Sequence, residues 1–181
     1  VTLENIGGPV INIMPARKTA QTLLVFYAGG LVRPQAYEWL GQALAPLGVQ
    51  TVIPVFPVDL AVTGINRADA LIQKYGEGKK VILAGHSLGG AMAAQYASKH
   101  LDPAATHPIE GLILMAAYPP SSINLNTAKF PVLSLLAAND GVAEPEKVRD
   151  GLKRLPSNTN LTVIDGAGHS FFGRYGPQKG D

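Results

Sequence analysis

Short apolar runs alternate with amphipathic segments along most of the chain. Residues 22–27, Thr-Leu-Leu-Val-Phe-Tyr, form a continuous apolar run that is typical of a β-strand covered on both faces. Comparable runs recur at regular intervals, and one begins at residue 80 and ends at the glycine at 85. The pattern predicts a first, edge strand over residues 10–14. It also predicts strands over residues 22–27, 49–55, 109–116, 131–138 and 161–165.

Helical patterns lie between these predicted strands. After Pro34, apolar residues recur every three or four positions, and Gly48 ends the segment as glycine commonly ends a helix. Similar patterns predict helices over about 66–75, 88–97 and 144–155. Strands that alternate with helices predict an α/β fold, in which a mainly parallel sheet of about six to seven strands carries helices on both faces. We expect residues 1–181 to form a single domain.

One stretch, residues 80–97, combines a predicted strand, a glycine-rich turn and a predicted helix. The turn reads Gly85-x-Ser87-x-Gly89, which is the G-x-S-x-G pattern of a nucleophile elbow. Glycines are needed on either side of the serine because side chains there would collide with the neighbouring strand and helix. A flexible Gly-Ser loop is the alternative, but the strand before the turn and the helix after it favour the elbow.

Three chemically suitable side chains follow the ends of predicted strands. They are Ser87, Asp140 in an Asn-Asp-Gly turn and His169 in a glycine-flanked loop. The carboxyl ends of parallel strands form the ligand-binding edge of such a sheet. A serine hydroxyl is a weak nucleophile unless an imidazole takes its proton, and the imidazole needs a carboxylate to hold its tautomer. The order serine, acid, histidine therefore indicates nucleophilic catalysis.

The developing oxyanion would need two N–H donors. We expect one from Leu88, which follows the serine, and the other from the loop 29–31 after the first long strand.

Several segments carry a resemblance to a known family. Residues 85–90, 139–141 and 168–169 resemble an α/β-hydrolase, and residues 27–32 and 168–178 resemble a compact bacterial subgroup related to dienelactone hydrolases but with serine in place of cysteine. The resemblance covers nearly the whole chain. It implies an α/β-hydrolase fold, a triad of Ser87, Asp140 and His169, and an oxyanion hole that Gly30 or Leu31 completes.

The chain departs from its relatives at two places. Many relatives have His-Gly in the oxyanion loop, where this chain has Ala28-Gly29. Residues 117–130, after the fourth central strand, are too few and too polar for the cap domain that relatives with large lipid substrates carry. We therefore expect a capless enzyme with an open site for small or accessible esters.

Other residues have competing interpretations. Asp140 could simply form a turn, and Asp59 and Asp165 are rivals for the acid. We interpret His86 as a packing or locally hydrogen-bonded residue, His100 as a helix cap and His107 as solvated. Three aromatic residues are candidates for substrate binding, although aromatic side chains often fill a core instead: Tyr37, Tyr118 and Phe171.

Composition excludes several classes of protein. Hydrophobic residues make up 46% of the chain and charged residues 15%, which is typical of a globular domain. A net charge of +2 without a basic cluster predicts no nucleic-acid partner, and no apolar run is long enough for a membrane span. No cluster has metal-ligand spacing and no G-x-G-x-x-G follows a strand, so we expect no metal and no cofactor.

Cysteine usage bears on location. The chain has no cysteine, which excludes disulfides and a cysteine nucleophile and favours a reducing, cytoplasmic compartment. Export or anchoring through a segment before Val1 is the alternative.

The sequence predicts a carboxylesterase-like serine hydrolase that cleaves a small ester or thioester through an acyl-enzyme. An acyltransferase with the same triad is the first alternative, and a non-catalytic binding scaffold is the second. The presence of Ser87, Asp140 and His169 together argues against the scaffold. The sequence leaves the physiological substrate and the oligomeric state open.

Overall fold

A single β-sheet extends through the structure, a computed structural model that describes residues 1–17 and 19–181. In the described part of the chain the sheet has eight strands, in the spatial order β1-β2-β4-β3-β5-β6-β7-β8. The strands are β1 (Thr2–Asn5), β2 (Pro9–Ile13), β3 (Thr22–Tyr27), β4 (Val49–Pro54), β5 (Lys80–His86), β6 (Ile109–Met115), β7 (Val132–Ala137) and β8 (Asn160–Ile164).

Most neighbouring strands run in the same direction. β4, β3, β5, β6, β7 and β8 pair in parallel, whereas β1 and β2 form an antiparallel hairpin that adds to the edge of β4. The α-helices between them are α1 (Glu38–Leu44), α2 (Arg67–Tyr75), α3 (Leu88–Ser98) and α4 (Pro145–Gly151). The predicted α/β architecture is thereby confirmed.

The core lies on both faces of the sheet, as the apolar run of β3 indicates. Leu23, Val25 and Tyr27 belong to one buried cluster, together with residues of α2 and α3. Leu24 and Phe26 belong to a second cluster on the opposite face. Successive side chains of a strand point to opposite faces, so a strand that is covered on both faces must be apolar throughout.

Two details of the predicted elements need correction. The sheet has eight strands where we expected six to seven, and the additional one is β1. Its sequence, Thr-Leu-Glu-Asn, is mostly exposed and lacks an apolar pattern, which is why it gave no signal. Residues 10–14 were therefore wrongly expected to be the edge strand, because β1 pairs with β2 on its outer side.

The predicted helix after Pro34 is also less regular than expected. It opens as a 3₁₀ helix (Pro34–Tyr37), continues as α1 and closes as a second 3₁₀ helix (Ala45–Leu47). Gly48 follows with φ of +84°, the left-handed conformation in which glycine commonly ends a helix.

The connection between β6 and β7 has no helix that could cover the carboxyl edge of the sheet. Residues 116–131, which join β6 to β7 and are all described by the structure, contain only turns and irregular backbone. This confirms the expected absence of a cap in that connection. In residues 1–17 and 19–181 we find no helix whose length and apolar character would suit a membrane crossing.

Candidate active site

Ser87 lies at a sharp turn between β5 and α3. Its φ of 53° and ψ of −125° place a non-glycine residue in a strained conformation. The turn is held on both sides, because the Ser87 N–H donates to the Met115 carbonyl at 3.0 Å and the Ala91 N–H donates to the Ser87 carbonyl at 3.0 Å. The serine therefore sits at the carboxyl end of a central strand, at the first turn of α3.

The glycines around Ser87 are required by close backbone contacts. A Cβ atom on Gly89 would lie 2.1 Å from the Tyr27 carbonyl oxygen, and one on Gly85 would lie 2.4 Å from the Gly89 carbonyl carbon. Backbone atoms of neighbouring elements cannot yield as a flexible side chain can. The G-x-S-x-G spacing thus lets α3 pack directly against β3 and β5.

Asp140 and His169 form a buried pair at the same edge of the sheet. The His169 Nδ1–H donates to Asp140 Oδ2 at 2.8 Å, and Asp140 is 4% exposed and His169 1%. The other carboxylate oxygen, Oδ1, accepts the N–H groups of Val142 at 2.8 Å and Ala143 at 2.7 Å. Because Nδ1 is occupied by the carboxylate, Nε2 is the ring nitrogen left to accept a proton.

His86, which precedes the serine, contacts the loop of His169. The two imidazole rings are 4.7 Å apart, and the His86 Nε2–H donates to the His169 carbonyl oxygen at 2.9 Å. On its other side, His86 Nδ1 accepts the Tyr37 hydroxyl at 2.7 Å. Burial, with the nearby His169 imidazole, lowers the pKa of His86 to about 3. His86 is therefore neutral at physiological pH.

The loop after β3 lies next to the start of α3. The Leu31 N–H donates to the Asp59 carbonyl at 2.8 Å, and the Gly29 N–H donates to the Tyr37 hydroxyl at 3.1 Å. In the part of the chain that the structure describes, the N–H groups of Gly30 and Leu88 have no hydrogen-bond acceptor. A Cβ on Gly30 would lie 3.4 Å from the Leu88 Cβ, so these two residues are neighbours.

A cavity of about 280 Å³ adjoins Ser87. Small apolar side chains make up most of its wall, and Tyr118, one of the predicted substrate-binding residues, contributes as well. The full lining is Ser87, Leu88, Ala91, Ala116, Ala117, Tyr118, Val142 and Ala143. The other two predicted substrate-binding residues do not line this cavity. Phe171 is 57% exposed, and Tyr37 is fully buried.

Asp181 makes contacts that the sequence did not suggest. Its carboxylate accepts the His169 N–H, as well as the N–H and the hydroxyl of Ser170, both at 2.9 Å. Burial raises the pKa of Asp181, but the hydrogen bonds from Ser170 and His169 outweigh it and hold the pKa below its usual value. In the sequence, Asp181 is a single acidic residue after Gly180, and no motif or spacing there indicates a contact with His169.

The rival acids lie in other surroundings. The Asp59 carboxylate faces Arg33 Nε at 3.5 Å, and Asp165 is an exposed residue in the turn after β8. Neither forms the hydrogen bond to His169 Nδ1 that Asp140 makes. Among residues 1–17 and 19–181, no group of three or more His, Cys, Asp or Glu is arranged to hold a metal ion.

The two remaining histidines have partners of their own. His100 stacks on Tyr96 with ring centroids 3.9 Å apart, and its Nδ1–H donates to the Tyr96 carbonyl at the end of α3. His107 lies 3.9 Å from the Glu77 carboxylate.

Solved structures of low sequence identity share this fold. An alpha/beta hydrolase enzyme from the metagenome of lagoon sediments at Mar Chica, Morocco, superposes with a TM-score of 0.73 at 19% identity, over 93% of this chain and 90% of that one. A Paleococcus ferrophilus monoacylglycerol lipase gives 0.72 at 17%, over 93% and 91%. An esterase from Thermogutta terrifontis gives 0.68 at 16%, over 91% and 79%.

Sequence comparison places the chain in a family. No curated protein sequence matches it. The model of the alpha/beta hydrolase family matches residues 23–181, which include every residue of the expected triad and all the parallel strands except Thr22, the first residue of β3. The match and the shared fold agree with the resemblance carried by the elbow and the histidine loop. The chain belongs to the alpha/beta hydrolase family.

Proposed function

We propose that the protein is a serine hydrolase whose triad is Ser87, Asp140 and His169. The observation that carries the proposal is the buried hydrogen bond of 2.8 Å between Asp140 and His169, at the sheet edge where Ser87 is held in a strained turn. A histidine fixed by a carboxylate through Nδ1 presents Nε2 as a general base. The relation to dienelactone hydrolases stays a prediction from the resemblance.

In the proposed reaction, His169 Nε2 accepts the Ser87 hydroxyl proton while Oγ attacks the ester carbonyl. The same imidazole then protonates the leaving alcohol or thiol as the tetrahedral intermediate collapses to an acyl-enzyme. Water, deprotonated by His169, attacks the acyl group, and His169 then returns that proton to the departing Ser87 Oγ, which releases the acid and the free hydroxyl. Asp140 holds the imidazole and stabilises its protonated form throughout.

Two N–H groups are suited to hold the oxyanion. Leu88 is the first residue of α3, where N–H groups have no acceptor within the helix. For the second donor we favour Gly30 over Leu31, because the Leu31 N–H already donates to Asp59. Each such donor contributes about 2.7–4 kcal/mol to transition-state stabilisation in comparable sites.

We propose a small ester or thioester as the substrate. The cavity of about 280 Å³ beside Ser87 has room for a short acyl or alcohol group, and Tyr118 would contact it there. The names of two structural neighbours, a monoacylglycerol lipase and an esterase, are consistent with ester cleavage. We further propose that residues 1–181 form one domain, since one sheet joins strands from Thr2 to Ile164. A cytoplasmic location stays a prediction from cysteine content.

The test of this function is the turnover of Ser87→Ala on a p-nitrophenyl ester. We expect turnover to fall by about 10⁴-fold or more, because loss of a triad nucleophile has effects of that size. Ser98→Ala, the same change at the other end of α3, should keep wild-type turnover and serves as the control. Turnover that survives in Ser87→Ala would refute the assignment. Product analysis with an added alcohol separates hydrolysis from acyl transfer.

A further inference from the structure

Two loops of the candidate site are joined, through Tyr37 and the end of β5, by one line of buried hydrogen bonds. The Gly29 N–H donates to the Tyr37 hydroxyl oxygen at 3.1 Å, and the Tyr37 hydroxyl lies 2.7 Å from His86 Nδ1. His86 Nε2 lies 2.9 Å from the carbonyl oxygen of His169. Tyr37 and His86 are both fully buried. The line therefore runs from the oxyanion loop, past the residue before the nucleophile, to the proposed base.

For a neutral His86, the donors and acceptors along this line fit only one arrangement. A backbone N–H can only donate, so the Tyr37 oxygen accepts from Gly29 and its own hydrogen is free to donate to His86 Nδ1. A carbonyl can only accept, so His86 Nε2 carries the proton that bonds to His169. This is one neutral tautomer of His86, in agreement with its lowered pKa of about 3.

The same contacts determine where the Gly30 N–H points. The Gly29 N–H is held by Tyr37, and the Gly29 carbonyl accepts the Val32 N–H at 3.1 Å. No peptide bond in the described chain is cis, and in a trans peptide the N–H points away from the carbonyl. The Gly30 N–H is thus turned away from Val32, and Gly30 itself lies next to Leu88.

We propose that Tyr37 and His86 are positioning residues for the reaction, which together hold the oxyanion loop and the His169 loop in register with Ser87. This inference rests on the proposed triad. It gives Tyr37 a role different from the substrate contact expected from the sequence, since its hydroxyl bonds to Gly29 and His86. In the described chain, neither residue forms a hydrogen bond to the Ser87 hydroxyl or to a ring nitrogen of His169, so the pair acts through the groups it holds.

Tyr27 provides a matched control for Tyr37. It is also fully buried, its hydroxyl donates to the Ile65 carbonyl at 2.6 Å, and it accepts the Ala68 N–H at 3.0 Å. Tyr37→Phe and Tyr27→Phe therefore each remove one buried hydroxyl group. With it, each loses two hydrogen bonds, one of which is donated by a backbone N–H. The difference is that the Tyr27 hydroxyl bonds to the start of α2 and not to the site loops.

The experiment measures kcat, KM and Tm for both variants on a p-nitrophenyl ester. We expect Tyr37→Phe to lower kcat by about 10- to 100-fold with KM changed less than about threefold, because small displacements of catalytic groups have effects of that order. Tyr27→Phe should lower Tm to a similar extent and leave kcat within about twofold of wild type. Equal kcat values in the two variants would overturn the proposal.

His86 is tested by a conservative and a disruptive variant. The Gln amide in His86→Gln can accept from Tyr37 and donate to His169, whereas the Leu side chain in His86→Leu can do neither. We expect His86→Gln to keep a kcat at least about tenfold above that of His86→Leu. Equal loss in both would show that His86 only fills space, which contradicts the proposal.

Ser87→Ala is measured beside these variants. If it abolishes turnover while Tyr37→Phe behaves like Tyr27→Phe, the positioning role alone is refuted. If turnover survives in Ser87→Ala, the proposed function and the positioning role are both refuted.

Discussion

At the scale of single residues, the carboxylate of Asp140 is the most constrained group of the site. One oxygen accepts from His169 and the other accepts two backbone N–H groups, from Val142 and Ala143. Neither oxygen can rotate away without leaving a buried donor unpaired, which costs about 1–3 kcal/mol per group. The Asn-Asp-Gly sequence is therefore a turn and, as we propose, also the acid of a triad.

Asp140→Asn should lower turnover by orders of magnitude while the fold persists. The Asn side chain can keep some of the turn contacts, but it no longer holds the tautomer of His169 or stabilises the imidazolium. Asp59→Asn and Asp165→Asn are the controls and should remain within about threefold of wild-type kcat/KM. Steady-state kinetics measures the loss of turnover, and circular dichroism checks that each variant is folded. If Asp59→Asn lost its turnover and Asp140→Asn kept it, the acid would be Asp59, and our assignment of Asp140 would be wrong.

The residue types of the candidate triad could be predicted from the sequence, but their supporting contacts could not. Ser87, Asp140 and His169 each follow a strand, and strand ends of a parallel sheet converge. Tyr37 and His86 are 49 positions apart, and Asp181 is 12 positions from His169. Nothing in local spacing links such residues, because their contacts depend on how the loops after the strands fold over one another.

At the scale of elements, the turn between β5 and α3 depends on close backbone packing. Ser87 is held at φ of 53°, and conformations of this kind persist only where the surrounding structure enforces them. α3 supplies that constraint, because Gly89 lies against the Tyr27 and Ala28 carbonyls of β3 and the loop that follows it. The packing of α3 against β3 therefore maintains the strained backbone conformation of Ser87.

Gly89→Ala should destabilise the protein far more than Gly78→Ala. The new Cβ would lie 2.1 Å from the Tyr27 carbonyl oxygen and 2.3 Å from that of Ala28, so the helix must move. We expect the free energy of unfolding to fall by about 3 kcal/mol or more in urea denaturation. Gly78→Ala is the control. Apart from its chain neighbours, no atom of the described residues would lie within 4 Å of the new Cβ, so only the φ of +70° is unfavourable. That strain costs roughly 1–2 kcal/mol. Equal losses would contradict the packing argument.

The elements themselves were largely predictable, and the exceptions have physical reasons. The central strands are apolar throughout because both faces are covered, so their runs stand out in the sequence. β1 lies at the sheet edge with exposed side chains, and no periodic pattern is imposed on such a strand. The segment after Pro34 has the expected helical spacing but changes helix type twice, which residue spacing alone does not reveal.

At the scale of the whole molecule, the connection between β6 and β7 supplies no lid for the carboxyl edge of the sheet. Residues 116–131, all of them described, contain no helix that could form a lid there. A cavity of about 280 Å³ beside Ser87 offers apolar space next to the proposed nucleophile. An acyl chain longer than this cavity would extend into water.

We therefore expect kcat/KM for p-nitrophenyl esters to rise over the first few acyl carbons and then to level off. A buried methylene contributes about 0.8 kcal/mol, or nearly fourfold per carbon, only while it stays out of water. The plateau length is read from a series of straight-chain esters. A steady rise to long chains would show a deep apolar groove and contradict this account.

Val142→Leu tests whether that cavity sets the plateau. Val142 lines the cavity and is 37% exposed, so the larger side chain should shift the plateau to shorter chains. Val163→Leu, the same substitution at a β8 residue that is 40% exposed, should leave the profile unchanged.

The role of Ser87 as the nucleophile is tested most directly by locating a covalent adduct on the protein. The protein is treated with a fluorophosphonate probe, digested, and the modified peptide is sequenced by mass spectrometry. We expect one adduct per chain, on Ser87, and none in Ser87→Ala. An adduct on a different serine, or ester turnover in a protein that the probe does not modify, would contradict this role of Ser87.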